Sequence, residues 1–339
     1  MILPRDTVID GFARPFRDLR VSVTDRCNFR CRYCMPREVF GPDHAYLPRR
    51  AILRFEEIHR VVRVAAELGV RKVRITGGEP LLRRDLPTLI EMLSRIDGLE
   101  LALTTNGSLL RDRARGLAGA GLDRVTVSLD SLDDRVFQAL NDVGCPVGRV
   151  LEGIDAAAEA GIGPIKINAM IRRGVNEDSV VGLARHFRGS GHIVRFIEFM
   201  DVGTSNGWQA REVVSGAEIV RMITTEFPAE PVDPHYRGEV ARRWRYLDGE
   251  GEFGVITSVT QPFCGDCTRA RLSAEGVLHT CLFAGTGTDL RDTLRGGSSD
   301  GRLRELMASL WRSRRDRYSQ DRCAGGAPSK RVEMSYIGG

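Results

Sequence analysis

Two sets of three cysteines carry the chemistry open to this chain. Cys27, Cys31 and Cys34 are spaced Cys-x3-Cys-x2-Cys within DRCNFRCRYCMP. Three thiolates at that spacing can hold three irons of a cubane cluster and leave the fourth without a protein ligand, whereas a cluster closed by four cysteines usually serves electron transfer or structure. Zinc is the rival reading. A structural zinc site normally takes four Cys or His ligands, and neither His44 nor a nearby cysteine supplies an obvious fourth. The second set, Cys264, Cys267 and Cys281, is spaced Cys-x2-Cys-x13-Cys. Here Arg269–Ser273 and Val277–Leu282 read as two short strands around Ala274-Glu275-Gly276, a hairpin that returns Cys281 toward the first two. Alternation places Arg269 and Arg271 on one face of that hairpin. Zinc with His279 as fourth ligand stays open at this second set; beside the first, a second cluster with one open iron is the better reading. Cys145 and Cys323 stand alone and read as ordinary cysteines.

The elements that must position these residues alternate strand and helix from about residue 19 to 200. Strand-like segments are Leu19–Thr24, Lys72–Thr76, Leu99–Thr104, Arg124–Leu129, Ile165–Met170 and Ile193–Met200. Between them lie helical patterns such as Phe55, Ile58, Val62 and Ala65, which share one face at a 3.6 period. Gly69, Gly121 and Gly161 end three of these helices as left-handed caps would. Six such units predict a parallel sheet wound by helices, either open or a partial barrel. The unusual residues fall at strand ends: the cysteine loop, Gly77-Gly78-Glu79-Pro80, Thr104-Thr105-Asn106-Gly107, Ser128-Leu129-Asp130 and Met200. In parallel α/β architectures the carboxyl ends of strands form the ligand mouth, so these segments are expected to converge.

Beyond residue 201 the texture changes. A helix near Ala217–Glu226 is followed by a Pro-rich loop, PAEPVDPHYRGE, by strand-like runs at Val240–Leu247 and Gly254–Thr260, and by helices around Leu290 and Leu306. The run RSRRDR at 312–317 reads as a solvated helix face. The predicted division is 1–200 for the alternating part and 201–339 for a smaller α+β part.

The 339 residues are 42% hydrophobic and 28% charged, with a net charge of +5, too small to argue for nucleic acid by itself. No apolar run approaches the length of a bilayer span, the first residues lack signal-peptide order, and cysteines in that context point to metal or redox use in a reducing compartment. The reading is cytoplasmic, without membrane or nucleic acid. Lysine is confined to Lys72, Lys166 and Lys330, the remaining basic residues being arginine. A lysine on a predicted strand in such a chain reads as a chosen point charge.

The first cysteine spacing, with Tyr33 before the third cysteine, resembles the cluster motif of the radical S-adenosylmethionine (SAM) enzymes. Further motifs extend the likeness over essentially the whole chain: RKVRITGGEPLLR, TTNG, SLDSLD, KINAM, RFIEFM, FCGDCTRARLS, CLF and MSYIGG. In this order they resemble the GTP 3′,8-cyclase family of molybdenum cofactor biosynthesis. The resemblance implies a partial (β/α)6 barrel of radical SAM type with a smaller α+β C-terminal domain carrying a second 4Fe-4S cluster. It puts SAM contacts on Tyr33, Gly78, Ser128 and Met200. GTP contacts fall on Arg20, Arg74, Thr104, Lys166, Arg269, Ala270 and Arg271, with Lys72 and Arg195 joining them at the triphosphate. The double glycine Gly338-Gly339 would reach into the active-site cavity. The implied reaction begins with reductive cleavage of SAM, removes hydrogen from C3′ of GTP and joins that carbon to C8 of guanine. The resemblance also implies an external one-electron reductant, a downstream cyclic pyranopterin monophosphate synthase that takes the product, and a monomer or homodimer. A peptide-modifying radical SAM maturase is the nearer alternative, but those with auxiliary clusters generally carry more C-terminal cysteines. A zinc-stabilised nucleotide-binding protein is the farther one.

Overall fold

The computed structural model describes residues 7–321 and 331–338; Cys323, Lys330 and Gly339 lie outside the described residues. Six strands follow the sequence pattern closely: β1 (Asp18–Ser22), β2 (Lys72–Thr76), β3 (Glu100–Thr105), β4 (Arg124–Ser128), β5 (Lys166–Ile171) and β6 (Ile193–Glu198). The helices between them are α1 (Phe55–Glu67), α2 (Leu86–Ser94), α3 (Ala114–Gly119), α4 (Asp134–Asn141), α5 (Val147–Glu159) and α6 (Ser179–Phe187). The three glycines expected as left-handed caps have positive φ: 113° at Gly69, 95° at Gly121 and 81° at Gly161.

The alternation within each strand explains the architecture. In β2 the side chains of Val73 and Ile75 are fully buried in the core, whereas Lys72, Arg74 and Thr76 line a cavity. β1 repeats this with Leu19 and Val21 in the core and Arg20 in the cavity. A parallel strand covered on both faces would read as a nearly continuous apolar run. These strands turn one apolar face to the helices and one polar face inward, so the barrel interior is a ligand cavity rather than a packed core. The outer layer is ordinary: Ile58, Val61, Val62 and Ala65 of α1 pack inward, and burying each of the first three contributes about 1.5–3 kcal/mol.

The remaining third of the chain supplies α7 (Gly216–Glu226), β7 (Ala229–Val232), β8 (Arg242–Tyr246), β9 (Glu252–Ile256), β10 (Arg269–Leu272), β11 (Val277–His279) and β12 (Thr288–Asp289). Four helices follow: α8 (Arg291–Arg295), α9 (Asp300–Ser313), α10 (Tyr318–Asp321) and α11 (Met334–Ile337). All strands belong to one sheet, ordered β12-β11-β10-β1-β2-β3-β4-β5-β6-β9-β8-β7. β10 pairs in parallel with β1, and β9 in parallel with β6, so the C-terminal segment lengthens the parallel sheet at both ends before hairpins finish it. β7, read from sequence as loop, is an edge strand opposite β8 that sets Pro231 against Trp244; an edge tolerates the proline that a central strand would not.

Candidate functional site

One cavity of about 310 Å³ is lined by Cys27, Cys31 and Cys34 on one wall and by Cys264, Cys267 and Cys281 on another. The first set sits in the loop after β1. There the GGEP turn is seated directly against it: a Cβ on Gly78 would overlap the carbonyl of Arg26 and lie 3.0 Å from the backbone nitrogen of Cys27. Glu79 is buried, and accepts hydrogen bonds from the Thr105 hydroxyl (2.7 Å), the Asn106 N–H (2.8 Å) and the Leu81 N–H (3.0 Å). Burial pushes its carboxyl up to about 7 against these donors. Tyr33 donates its hydroxyl to Asp130 (2.8 Å), which also accepts from the Met170 N–H (2.8 Å) and is raised by burial to about 6. The loop, β4 and β5 are thereby tied together. Ser128 and Met200 line the same cavity, as do Tyr33 and Gly78.

Without a metal centre, burial holds the thiols of the first set in their protonated form. Burial and then the Glu79 carboxylate push Cys27 up to about 12, and Cys31 is raised by burial and by Cys27 and Asp130. Thiolates so placed need a cationic core between them. His44 does not join them: its ring packs between Phe40 and Tyr46, 4.7 Å from each. Among the described residues no three His, Cys, Asp or Glu side chains are gathered so as to hold one metal ion, which does not separate zinc from an iron–sulfur cluster at either set.

In the second set the surroundings reverse at Cys267, whereas burial pushes Cys281 up to about 12, as in the first set. Cys267 would be raised by burial, but the guanidiniums of Arg269 and Arg314 bring it down to about 6. Arg269 Nη2 lies 3.4 Å from its sulfur, and Arg314 Nη1 donates to the Cys267 carbonyl at 2.7 Å. Arg14 donates to the Cys264 carbonyl at 2.7 Å and pairs with Asp10 at 2.6 Å; Arg314 pairs with Asp10 at 3.6 Å and with Asp316 at 3.3 Å. Arg314, whose side chain is 1% exposed, corrects the reading of 312–317 as a solvated helix face: α9 ends at Ser313, and the next residue turns inward to clamp the cysteine loop. His279, the zinc alternative, stands on β11 opposite Arg271 with its ring against Tyr336. It is not among the cavity-lining residues.

Cations fill the strands between the two cysteine walls. Arg20, Lys72, Arg74, Lys166, Arg195, Arg269 and Arg271 all line the cavity. Arg74 donates to the hydroxyls of Thr104 (3.1 Å) and Thr126 (2.9 Å), and Lys72 pairs with Glu100 at 2.6 Å. The others crowd one another. Burial, then Arg195, Lys72 and Arg74, lowers Lys166 to about 7; burial and Arg74 lower Arg195 to about 9; burial and Arg269 lower Arg271 to about 9. The Nε atoms of Arg195 and Arg269 and the Oδ1 of Asn168 are buried with no hydrogen-bond partner among the described residues. Such an array needs a polyanion, and guanidinium forks match phosphate oxygens. Ala270 is fully buried and absent from the lining, so only its backbone could serve a ligand.

Sequence reasoning missed Tyr236 and Glu239, which line the cavity from the segment after β7, and missed Arg14 and Arg314. A Pro-rich stretch and isolated arginines in an Arg-rich chain gave no local signal. Cys145 is apart from both sets, packed at the edge of the main core. At the tail, Gly338 is buried with φ of 72°, its carbonyl accepts from Arg271 Nη1 at 3.1 Å, and a Cβ there would overlap Thr76 and press the Ser22 hydroxyl. Only a residue without a side chain fits between the ends of β1 and β2.

Residues 21–187 match the Radical SAM superfamily, and residues 192–320 match Molybdenum Cofactor Synthesis C. Among solved structures, Streptococcus suis SuiB bound to S-adenosylmethionine superposes with a TM-score of 0.62 at 16% identity, covering 87% of this chain and 69% of that one. At that identity the likeness speaks for the fold: a radical SAM barrel. A protein of Acidothermus cellulolyticus named GTP 3′,8-cyclase is 54% identical, over 97% of this chain and 98% of its own length. One of Staphylococcus aureus with the same name is 48% identical, over 98% and 99%. The chain belongs to the GTP 3′,8-cyclase family. Membership of the radical SAM superfamily implies a 4Fe-4S cluster and SAM. Among the described residues no helix is long and apolar enough to cross a membrane.

Proposed function

We propose that this chain converts GTP to (8S)-3′,8-cyclo-7,8-dihydroguanosine 5′-triphosphate, the first step of molybdenum cofactor biosynthesis. The observation that carries the reading is that both cysteine sets and eight cationic side chains, Arg314 among them, line one cavity. Cys27, Cys31 and Cys34 would hold the first 4Fe-4S cluster, and Tyr33, Gly78, Ser128 and Met200 would seat SAM beside it. When bound, that cluster and SAM supply one-electron chemistry and a carbon-centred radical. The protein places the substrate. Arg20, Arg74, Lys166 and Arg195 would hold the triphosphate, which brings roughly four negative charges into a cluster of mutually repelling cations. Thr104 is fixed by Arg74, while Lys72 already has Glu100 as a partner and would act at longer range. Cys264, Cys267 and Cys281 would hold a second 4Fe-4S cluster whose open iron meets the guanine base, with Arg269, the Ala270 backbone and Arg271 alongside. Gly338 and Gly339 would close the cavity, shielding the substrate radical from water.

The reading further includes an external one-electron reductant, a cytoplasmic setting, a monomer or homodimer, and delivery of product to a cyclic pyranopterin monophosphate synthase. It also keeps 1–200 as the barrel unit and 201–339 as the auxiliary-cluster unit. The test is an anaerobic assay with SAM, dithionite and each nucleoside triphosphate in turn, scoring 5′-deoxyadenosine and cyclised nucleotide. GTP alone should give both products. Equal turnover of ATP, or 5′-deoxyadenosine without any cyclised guanosine, overturns the proposal.

A further inference from the structure

The tail is held by more than its apolar residues. Glu333 accepts hydrogen bonds from the backbone N–H of Thr204 (2.9 Å), the Thr204 hydroxyl (3.0 Å) and the Ser205 hydroxyl (2.7 Å). Its carboxylate occupies the space where a side chain on Gly203 would project, and Gly203 has φ of 73°. Two residues earlier in the tail, Arg331 bonds to the carbonyl and the carboxylate of Asp201, and that carboxylate also accepts from the Tyr318 hydroxyl at 2.8 Å. The segment so gripped, 201–205, immediately follows Met200, a cavity-lining residue. Val202, Phe283 and Tyr318 form a small core cluster of their own, against which Met200, Cys281 and Met334 pack. Three parts of the site therefore meet there: the strand end carrying Met200, the hairpin carrying Cys281, and the tail that carries Gly338.

We infer that Glu333 is a positioning residue, a latch that fixes the tail to the segment after β6 and so sets how far Gly338 enters between Ser22 and Thr76. This rests on the reading of the tail as a closing element. The hydrogen bonds themselves make the latch. A carboxylate receives three donors at once; removing it leaves the Thr204 N–H and two hydroxyls to water, and between Arg331 and Tyr336, whose hydroxyl bonds to Glu275, the tail is left with the Val332 N–H on the Ala284 carbonyl and the packing of Met334. Gln at 333 keeps the acceptor for Thr204, and its amide can donate to the Ser205 hydroxyl, so it preserves the latch without the charge.

The experiment is a double-mutant cycle on the reconstituted enzyme, reading cyclised product per 5′-deoxyadenosine and GTP affinity. Glu333→Ala should lower the product ratio at least fivefold with GTP affinity within twofold of the parent. Gly203→Ala, which evicts the carboxylate from the opposite side, should do the same, and Glu333→Gln should retain most of the ratio. In a chain lacking Gly338 and Gly339, Glu333→Ala should have no further effect, because its influence passes through them. An equal loss from Glu333→Ala in both backgrounds overturns the latch while leaving the tail reading intact. So does a normal ratio in Glu333→Ala when the truncated chain is impaired. If Glu333→Gln behaves as Glu333→Ala, the residue acts through its charge, and the latch is again wrong. A truncated chain with normal product ratio refutes the tail reading itself, and the latch with it.

Discussion

The two cysteine sets offer the same ligands, but one thiol of the second stands in the opposite electrical setting: Cys267 is drawn down beside arginines, while burial raises Cys281 as it raises the thiols of the first set. Burial first, and then the carboxylates Glu79 beside Cys27, Asp130 beside Cys31, and Glu333 and Asp130 beside Cys34, make an additional negative charge costly at the first set. Cys267 lies against Arg269 and Arg314, and its backbone and that of Cys264 are gripped by Arg314 and Arg14. Donor chemistry alone does not distinguish the sets; the residues around them do. Acidic surroundings suit a centre that must give up an electron, since reduction adds negative charge there. Basic surroundings suit a centre that holds an electron-rich or anionic ligand still.

The sharpest way to break the comparison is to remove one set at a time. Cys27→Ala should abolish 5′-deoxyadenosine formation and leave roughly half of about eight irons, the content of two cubanes. Cys267→Ala should retain SAM cleavage and lose the cyclised product. Iron analysis with paired product assays checks this, and loss of SAM cleavage in both variants would erase the distinction. A subtler test compares reduction potentials. At about 8 Å and an effective dielectric of about 20, one charge shifts a one-electron couple by about 2 kcal/mol, on the order of 100 mV. The second centre should therefore be reduced first in an anaerobic titration followed by electron paramagnetic resonance. The reverse order would show that solvent access or bound ligands outweigh the side-chain charges.

The smallest effect extends the basic field to the strand starts. Lys166 sits at about 7 in the ligand-free cavity, lowered by burial and by neighbouring cations. A bound triphosphate raises it, so binding takes up a proton at pH values above the free value and below the bound one. Affinity for GTP should thus decline, by up to about tenfold per unit, as pH rises above about 7.5, where the terminal phosphate is already ionised. Calorimetry in buffers of different ionisation enthalpy would count the proton, and Lys166→Arg should flatten the profile. A profile unchanged by that substitution would remove Lys166 from the phosphate end.

Much of this was legible from the chain. The period-two alternation in Lys72-Val73-Arg74-Ile75-Thr76 separates a core face from a cavity face, and the strand-end glycines and cysteines mark the mouth. What escaped was what depends on distant partners. Arg14 reaches Cys264 across 250 positions, and the Trp311 indole donates to the Arg14 carbonyl across 297, with no local pattern to announce either. Arg314 looked like one more exposed charge because its neighbours Arg312 and Arg315 are exposed. β7 was hidden by proline, and Tyr236 and Glu239 by the irregular segment after it. The division near residue 200 follows a change of texture in the sequence, whereas the sheet runs through it on both sides.

That continuity bears on how the chain comes off the ribosome. When the first six strands have emerged, β1 and β6 each present a full row of unpaired backbone groups, since their later neighbours β10 and β9 have yet to be made. Exposed flat edges of this kind recruit other strands, including those of a second nascent chain. The first two hundred residues are therefore a poor candidate for separate expression. The segment that supplies Cys264 to Cys281 doubles as the seam that seals the sheet.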